Sequence, residues 1–312
     1  MTVACLPEFL RSSEASSARH ELVGPASAPV ILVLGGISAT SRVVRSDPDA
    51  TPGWWEGIVG PGRAIDITAH RVISVAYRDG GRGDDGRPAS VVTTHDQAAD
   101  IVALLDDLGI ERLSAIVAAS YGGMVALALA ERWPDRVDRL VAISAAHEPH
   151  PMATAIRSVQ RRIVELGIET GRINESMALA RALAMTTYRA AREFADRFDT
   201  AAVMDESRTT FDVERYLMRA GEKFAARMSP ERFLALSLSV DLHRVVPEDI
   251  DVRTTVIAAR GDTIVPPAQL RAMSRRLQKL DGFHTLMTRT GHDAFLAEQR
   301  SLGRLLTSIL AD

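Results

Sequence analysis

The sequence of 312 residues is poor in cysteine, lysine and aromatic residues, and it has no long apolar run. The single cysteine, Cys5, excludes an internal disulfide and a cysteine-based metal cluster. No apolar run reaches the roughly 18–20 residues of a membrane-spanning helix, and we expect no signal peptide, because acids and arginines interrupt the N-terminal region. With 37 basic and 40 acidic residues the net charge is −3. The chain therefore lacks the excess of basic residues that favours binding to nucleic acid or to anionic membranes. These features predict a cytoplasmic protein with no nucleic-acid or membrane partner.

Continuous apolar runs that stop at glycine or a polar turn predict strands of a mostly parallel sheet, buried on both faces. Such runs alternate with amphipathic helices, and this alternation is typical of an α/β fold. A capping box at residues 94–97, with threonine first and glutamine last, predicts the start of one helix. Six strands are predicted at residues 29–34, 71–76, 113–119, 140–144, 254–259 and 285–288.

The segment between the fourth and fifth predicted strands has a different character. Residues 151–247 show apolar positions at helical spacing and no strand-like run. A stretch of this length is too long for a loop inside an α/β domain. We therefore predict an N-terminal arm over residues 1–28, a core formed by 29–150 and 248–312, and an all-helical lid over 151–247.

A serine between a predicted strand and a predicted helix is the sharpest chemical signal. Ala118-Ala-Ser120-Tyr-Gly122 resembles the G-x-S-x-G turn that exposes a nucleophile, with alanine at the first glycine position. Asp262 and His292 each follow a later predicted strand, and the order Ser, Asp, His is that of an α/β-hydrolase triad. A serine hydroxyl needs an imidazole to take its proton, and that imidazole needs a carboxylate to orient it. We predict Ser120, Asp262 and His292 as catalytic residues.

Acyl transfer through serine also needs backbone N–H groups that stabilise an oxyanion. One is expected from Tyr121, directly after the nucleophile at the start of a helix. The other is expected from the loop after the first strand, at Ile37 or Gly36. The sequence has no phosphate-binding loop motif and no metal-ligand cluster.

Several segments of the chain resemble the homoserine O-acyltransferases, which have the α/β-hydrolase fold and act in methionine biosynthesis. The resemblance implies a ping-pong transfer from acyl-CoA, a co-substrate, through Ser120 to L-homoserine, with no bound cofactor or metal. It also implies that Asp293 holds the substrate ammonium, that Arg227 holds its carboxylate, and that the lid helices form a homodimer. The segments that carry it are residues 52–66, 120–124, 158–163, 216–227 and 291–296.

The identity of the acyl group and of the acceptor stays open at this point. The short chain and the Leu-Gly-Gly-Ile-Ser loop at 34–38 favour succinyl over acetyl by resemblance. A succinyl carboxylate needs a cation, for which Arg42, Arg45 and Arg161 are candidates. The alternatives are an esterase, an L-serine O-acyltransferase and a non-catalytic binding module. The triad alone does not separate an esterase or an L-serine O-acyltransferase from a homoserine O-acyltransferase. The charges of Asp293 and Arg227 suit a zwitterion and therefore favour an amino-acid acceptor over water.

Overall fold

Short apolar segments form the strands of the protein in a computed structural model, which describes residues 20–45, 52–204 and 209–311. Most of these strands are rich in valine, isoleucine, leucine and alanine, and are buried on both faces. The strands within the described ranges are β1 (His20–Val23), β2 (Val30–Leu34), β3 (Arg71–Val75), β4 (Ala115–Ala119), β5 (Arg139–Ile143), β6 (Ala202–Met204), β7 (Thr209–Phe211), β8 (Arg253–Ala259) and β9 (Leu280–Leu286).

The helices cover both the sheet and its carboxyl edge. Several begin with proline at the first or second position, where a missing backbone N–H costs nothing. The α-helices of the same ranges are α1 (Thr94–Asp107), α2 (Tyr121–Arg132), α3 (Pro151–Thr170), α4 (Ile173–Tyr188), α5 (Ala191–Arg197), α6 (Asp212–Ala225), α7 (Pro230–Leu242), α8 (Pro267–Ser274), α9 (Ala294–Ala297) and α10 (Gln299–Ala311).

Seven strands form one sheet in the order β1-β3-β2-β4-β5-β8-β9. Strand β1 is antiparallel to β3, and all other neighbours are parallel. The predicted α/β architecture is therefore confirmed. The carboxyl ends of β2, β4, β5, β8 and β9 meet at one edge, which is where open α/β sheets gather their functional residues.

Alternate residues of each strand build two apolar layers. Leu32 and Leu34 of β2 belong to a buried cluster with residues of α1, α2 and α8. Ile31 and Val33 belong to a second cluster, on the other face, with residues of α10. Each fully buried aliphatic side chain stabilises the fold by about 1.5–3 kcal/mol, so the two layers hold the sheet rigid beneath the site.

Helices α3 to α7 form the lid between β5 and β8, with an apolar cluster of their own that includes Val164, Met177 and Phe233. The prediction of an all-helical lid is wrong in one detail, because β6 and β7 form a two-stranded antiparallel hairpin within it. These strands have three residues each and are largely exposed, so they show no apolar alternation for sequence reasoning to detect. None of the described helices is long and apolar enough to cross a membrane.

The N-terminal segment contributes an edge strand to the sheet. Strand β1 lies in the region expected as an arm over residues 1–28, and it pairs with β3 through four residues. Cys5 and the remainder of the predicted arm, residues 1–19, lie outside the described residues.

Candidate active site

The sharp turn between β4 and α2 presents Ser120 at the carboxyl edge of the sheet. Ser120 has φ +55° and ψ −124°, a conformation that residues other than glycine rarely adopt. The chain passes so close to β2 that a Cβ on Gly122 would lie 2.6 Å from Leu34 Cβ and from the Gly35 carbonyl oxygen. Ala118 is a buried residue of β4 with ordinary φ, so alanine replaces the usual glycine there without strain.

Ser120, His292 and Asp262 form one continuous chain of hydrogen bonds. Ser120 Oγ lies 2.8 Å from His292 Nε2, and His292 Nδ1 lies 2.7 Å from Asp262 Oδ2. The other carboxylate oxygen of Asp262 accepts hydrogen bonds of 2.9 Å from the backbone N–H groups of Ile264 and Val265. Because a carboxylate only accepts, Nδ1 carries the imidazole hydrogen and Nε2 is free to take the proton of Ser120.

Opposing effects set the protonation of His292. Burial lowers the pKa of His292, but the charge of Asp262 and its hydrogen bond to Nδ1 outweigh burial, and the pKa is raised above 6.5. Asp293 acts in the same direction as Asp262, whereas Arg157 opposes it. The site therefore favours the imidazolium that forms when His292 removes a proton.

A small cavity of about 50 Å³ lies over the end of the hydrogen-bonded chain. Ser120 and His292 line it together with Ile37 and Tyr121. Tyr121 is the first residue of α2, where backbone N–H groups have no partner within the helix and lie at the positive end of its dipole. Ile37 lines this cavity and Gly36 does not, so the geometry favours Ile37 as the second oxyanion donor.

The loop after β2 is fixed against the nucleophile turn by one carbonyl group. Gly35 O accepts the backbone N–H of Gly122 at 2.9 Å and the hydroxyl of Tyr77 at 2.7 Å. The Tyr121 hydroxyl in turn lies 2.8 Å from Ser239 Oγ of α7. These buried bonds hold the two predicted oxyanion donors in place before any substrate arrives.

Asp293 lies beside His292 and faces an arginine of the lid. Its Oδ2 is 3.2 Å from Arg189 Nε, a contact of charges in which Nε still lacks an aligned hydrogen-bond acceptor. Burial raises the pKa of Asp293, and the charges of Arg189 and His292 oppose that rise. Arg227 lies exposed in the turn after α6, away from this pair. Neither Arg227 nor the pair of Asp293 and Arg189 is among the residues that line the cavity. The structure therefore brings Arg189, not the predicted Arg227, to Asp293.

A second arginine, Arg157 of α3, lines the cavity itself. Its Nε and Nη2 donate to Asp241 Oδ1 at 2.8 and 2.6 Å, while Arg161 Nη1 donates to Oδ2 of the same carboxylate at 2.6 Å. Two cations thus share one anion, and the network reaches the cavity through Arg157. Of the three arginines named from the sequence, Arg161 belongs to this network through Asp241, but none of the three lines the cavity. Within the described ranges no group of three or more acidic, histidine or cysteine side chains is placed to hold a metal ion.

Comparison with known proteins places this geometry in a family. A family model described as the alpha/beta hydrolase fold matches residues 29–299. The chain is 41% identical over 292 residues to a homoserine O-succinyltransferase of Xanthomonas campestris pv. campestris, which covers 94% of this chain and 78% of the relative. The chain belongs to the homoserine O-acyltransferase family of the α/β-hydrolase fold. A further family member, an L-serine/homoserine O-acetyltransferase of Streptomyces lavendulae, is 31% identical over 90% of this chain and 87% of its own.

Solved structures agree on the fold. A homoserine O-acetyltransferase from Bacillus anthracis matches with a TM-score of 0.84 at 18% identity, over 95% of this chain and 92% of its own. The L374D mutant of esterase E22 also matches with a TM-score of 0.84, at 22% identity, over 94% and 93%. These likenesses show the fold alone. The relatives of the homoserine O-acyltransferase family show that this chain is an acyltransferase.

Proposed function

We propose that this acyltransferase moves an acyl group from a CoA thioester to the side-chain hydroxyl of L-homoserine, through an ester on Ser120. The observation that carries the proposal is the pair of Asp293 and Arg189 beside His292. A zwitterionic amino acid has an ammonium for Asp293 and a carboxylate for Arg189, which in the free protein pairs with Asp293 and with Glu193; water has neither charge. The relative named homoserine O-succinyltransferase supports the same acceptor. The thioester is a co-substrate, and the mechanism uses no resident cofactor or metal.

In the first half-reaction, His292 Nε2 takes the proton of Ser120 Oγ while Oγ attacks the thioester carbon. The N–H groups of Tyr121 and Ile37 stabilise the oxyanion. The imidazolium then gives its proton to the departing sulfur, the C–S bond breaks, and CoA leaves as the thiol.

In the second half-reaction, the acceptor hydroxyl gives its proton to His292 Nε2 while its oxygen attacks the ester carbon. The imidazolium returns that proton to Ser120 Oγ as the serine ester bond breaks. Water can attack in the same way, so the product depends on how well the lid residues hold the amino acid against the acyl-enzyme.

We propose succinyl as the acyl group. The free end of a succinyl chain is a carboxylate, and the network of Arg157, Arg161 and Asp241, which reaches the cavity through Arg157, has two cations for one anion. An acetyl group has no charge for this network to bind. The relative with 41% identity is named for the same acyl group.

The decisive experiment measures release of CoA thiol by the purified protein from succinyl-CoA and from acetyl-CoA, each with L-homoserine, with L-serine and with neither. We expect release that depends on homoserine and is faster from succinyl-CoA. Release that ignores both amino acids identifies an esterase-like hydrolase, dependence on serine identifies the other acceptor, and no release at all favours a binding module. Ser120→Ala is expected to abolish the reaction, whereas Asp293→Asn is expected to keep acylation and lose most homoserine dependence.

The lid is also the surface through which we propose a homodimer. Helix α3 exposes Met152, Val159 and Leu166 at a spacing of seven residues, with half-buried Ile156 and Ile163 between them. This alternation of steps of four and three residues is the apolar seam by which two helices pack together. A second copy of the same helix presents the matching seam.

A role in methionine biosynthesis and a cytoplasmic location follow from this proposed reaction. O-Acylation turns the homoserine hydroxyl into a carboxylate leaving group, which prepares its γ-carbon for replacement by a sulfur nucleophile. Such a reaction consumes acyl-CoA, so we propose that it takes place in the cytoplasm.

A further inference from the structure

Ser144, the residue after β5, combines three features that the reaction above does not use. Its φ is +48°, and among the described residues other than glycine only Ser120 shares a positive φ. Its side chain is buried, with 1% of the residue exposed. Its Oγ has no hydrogen-bond partner among the described residues. A buried hydroxyl without a partner and a left-handed serine both cost free energy; alanine would avoid the first cost, and glycine would avoid both.

The order of the strands places Ser144 between the strand ends that precede Ser120 and Asp262. Strand β5 lies between β4, which ends before Ser120, and β8, which ends before Asp262. His292 is hydrogen-bonded to both of those residues, so its ring spans the carboxyl end of β5. The backbone confirms the alignment, since Ser120 N–H donates to Ile143 O at 2.9 Å. Ser144 lines the same small cavity as Ser120 and His292.

An acceptor hydroxyl has to occupy this same space. Its hydrogen must point at His292 Nε2 within about 2.6–3.2 Å, while one lone pair of its oxygen faces the acyl carbon on Ser120. One lone pair of that oxygen then remains. A neighbouring hydroxyl that donates to it fixes the orientation of both other bonds.

We propose that Ser144 is a substrate-binding residue whose hydroxyl donates a hydrogen bond to the acceptor hydroxyl oxygen during attack on the acyl-enzyme. The inference rests on the proposed transfer to an amino-acid hydroxyl. Ser144 gains no covalent bond and loses no proton: the acceptor proton goes to His292 and then to Ser120, as above. Ser144 thereby holds the attacking oxygen in line with the ester carbon.

The two half-reactions should respond differently to loss of this hydroxyl. The sulfur of the CoA leaving group passes through the same space, but a thioester or thiol sulfur is a weaker hydrogen-bond acceptor than a hydroxyl oxygen. An oxygen acceptor gains far more from the Ser144 hydroxyl. The hydroxyl therefore acts mainly in the second half-reaction.

The test measures kcat/KM separately for the acyl-CoA and for L-homoserine in Ser144→Ala and Ser144→Gly. In Ser144→Ala we expect kcat/KM for homoserine to fall about tenfold, the worth of one neutral hydrogen bond, with kcat/KM for acyl-CoA within about twofold. Ser144→Gly lacks the hydroxyl and also relieves the positive φ, so it should lose the same amount. Ser74→Ala, at a buried serine of β3 that does not line the cavity, is the matched control.

Different results overturn the proposal. Equal losses in both half-reactions, or a loss for acyl-CoA alone, exclude a contact with the acceptor. Full activity in Ser144→Gly with a loss in Ser144→Ala assigns the effect to backbone strain. A thermal melt of each variant separates misfolding from lost binding. Failure of the proposed function itself is seen in the unmodified protein, which would then show no homoserine-dependent thiol release.

Discussion

At the scale of single residues, the protonation of His292 decides when Ser120 can react. Only the neutral imidazole accepts a proton, and the pKa of His292 is raised because Asp262 outweighs burial. We expect the rate of acylation by acyl-CoA to rise with pH through a midpoint above 6.5. In Asp262→Asn the stabilising charge is absent, so kcat should fall by about 10⁴-fold and the midpoint should move to lower pH. Acylation rates of both proteins measured across pH give the two midpoints. An unchanged midpoint in Asp262→Asn would contradict the claim that Asp262 raises the pKa of His292.

Arg157 belongs to the same scale, because we propose that its charge binds the carboxylate of the succinyl group. In Arg157→Met, Arg161 still pairs with Asp241, so the carboxylate is not left alone. We expect kcat/KM for succinyl-CoA to fall on the order of tenfold to a hundredfold, the loss of a charged hydrogen bond, with acetyl-CoA nearly unaffected. Arg162→Met, on the exposed side of the same helix, is the control. Equal losses with both thioesters would exclude Arg157 as the acyl-carboxylate contact.

Sequence reasoning predicted residues at or shortly after the ends of strands, although it missed Ser144, which directly follows β5. Ser120 and Asp262 stand at such ends, and local patterns suffice to place them at one edge of a parallel sheet. Arg157 and Arg189 lie in the lid, whose return over the cavity depends on long-range packing that no local pattern encodes. A signal existed for Arg157, since the spacing of four to Arg161 puts two cations on one helix face, but 35 arginines in the chain obscure it.

At the scale of elements, the turn between β4 and α2 depends on how closely it passes β2. A Cβ at position 122 would meet Leu34 Cβ and the Gly35 carbonyl oxygen at 2.6 Å. We expect Gly122→Ala to lower the free energy of unfolding by about 1–3 kcal/mol, as overpacking does. It should also slow acylation, because it shifts the loop after β2 that carries Ile37. Gly303→Ala is the contrast: its Cβ would lie 3.6 Å from Ile58 Cδ1, and the helix should gain about 0.5–1 kcal/mol. Denaturant unfolding and acylation rates of both variants check this pair, and a harmless Gly122→Ala would contradict it.

Local sequence patterns predicted the strands and helices better than the residues at which they begin and end. The last strand was predicted at residues 285–288, but β9 extends over Leu280–Leu286, because it is an edge strand with polar, half-exposed residues rather than a buried apolar run. The capping box of α1 begins at Thr93 and closes with Asp96, one residue before the predicted pair. In both cases the element was predicted and its boundary was not: pairing with β8 sets the extent of β9, and two adjacent threonines offered alternative starts for α1.

At the scale of the whole molecule, the exposed seam of α3 predicts a dimer. Val159 lies at its centre and is 52% exposed. We expect Val159→Glu to place two like charges in a dimer interface and to convert the protein to a monomer, whereas Val91→Glu, at an exposed valine outside the lid, should leave its mass unchanged. Sedimentation at several protein concentrations measures this. If the unmodified protein were already monomeric, the proposed homodimer would be contradicted.

The stability of the whole fold should depend on His243, where the lid rejoins the core. His243 Nδ1 lies 2.8 Å from Thr94 Oγ1 of α1, and burial, with a smaller effect of His95, lowers the pKa of His243 to about 3. The folded protein therefore keeps this imidazole neutral, while the unfolded chain protonates it as pH falls below 6.5. The resulting contribution to stability is complete above pH 6.5 and is lost on acidification toward pH 3, by about 1.4 kcal/mol for each pH unit.

His243→Gln removes this titrating group. Below pH 6.5 the unfolding free energy of this variant should therefore fall less steeply on acidification, by about 1.4 kcal/mol for each pH unit. His284→Gln, at a half-exposed histidine of β9, is the control substitution. Denaturant unfolding at about pH 7 and about pH 5 distinguishes the two. If both variants kept the slope of the unmodified protein, the neutral His243 would not be the group that links lid and core to pH. If only His243→Gln lost it, the junction between lid and core would set the acid limit of the fold.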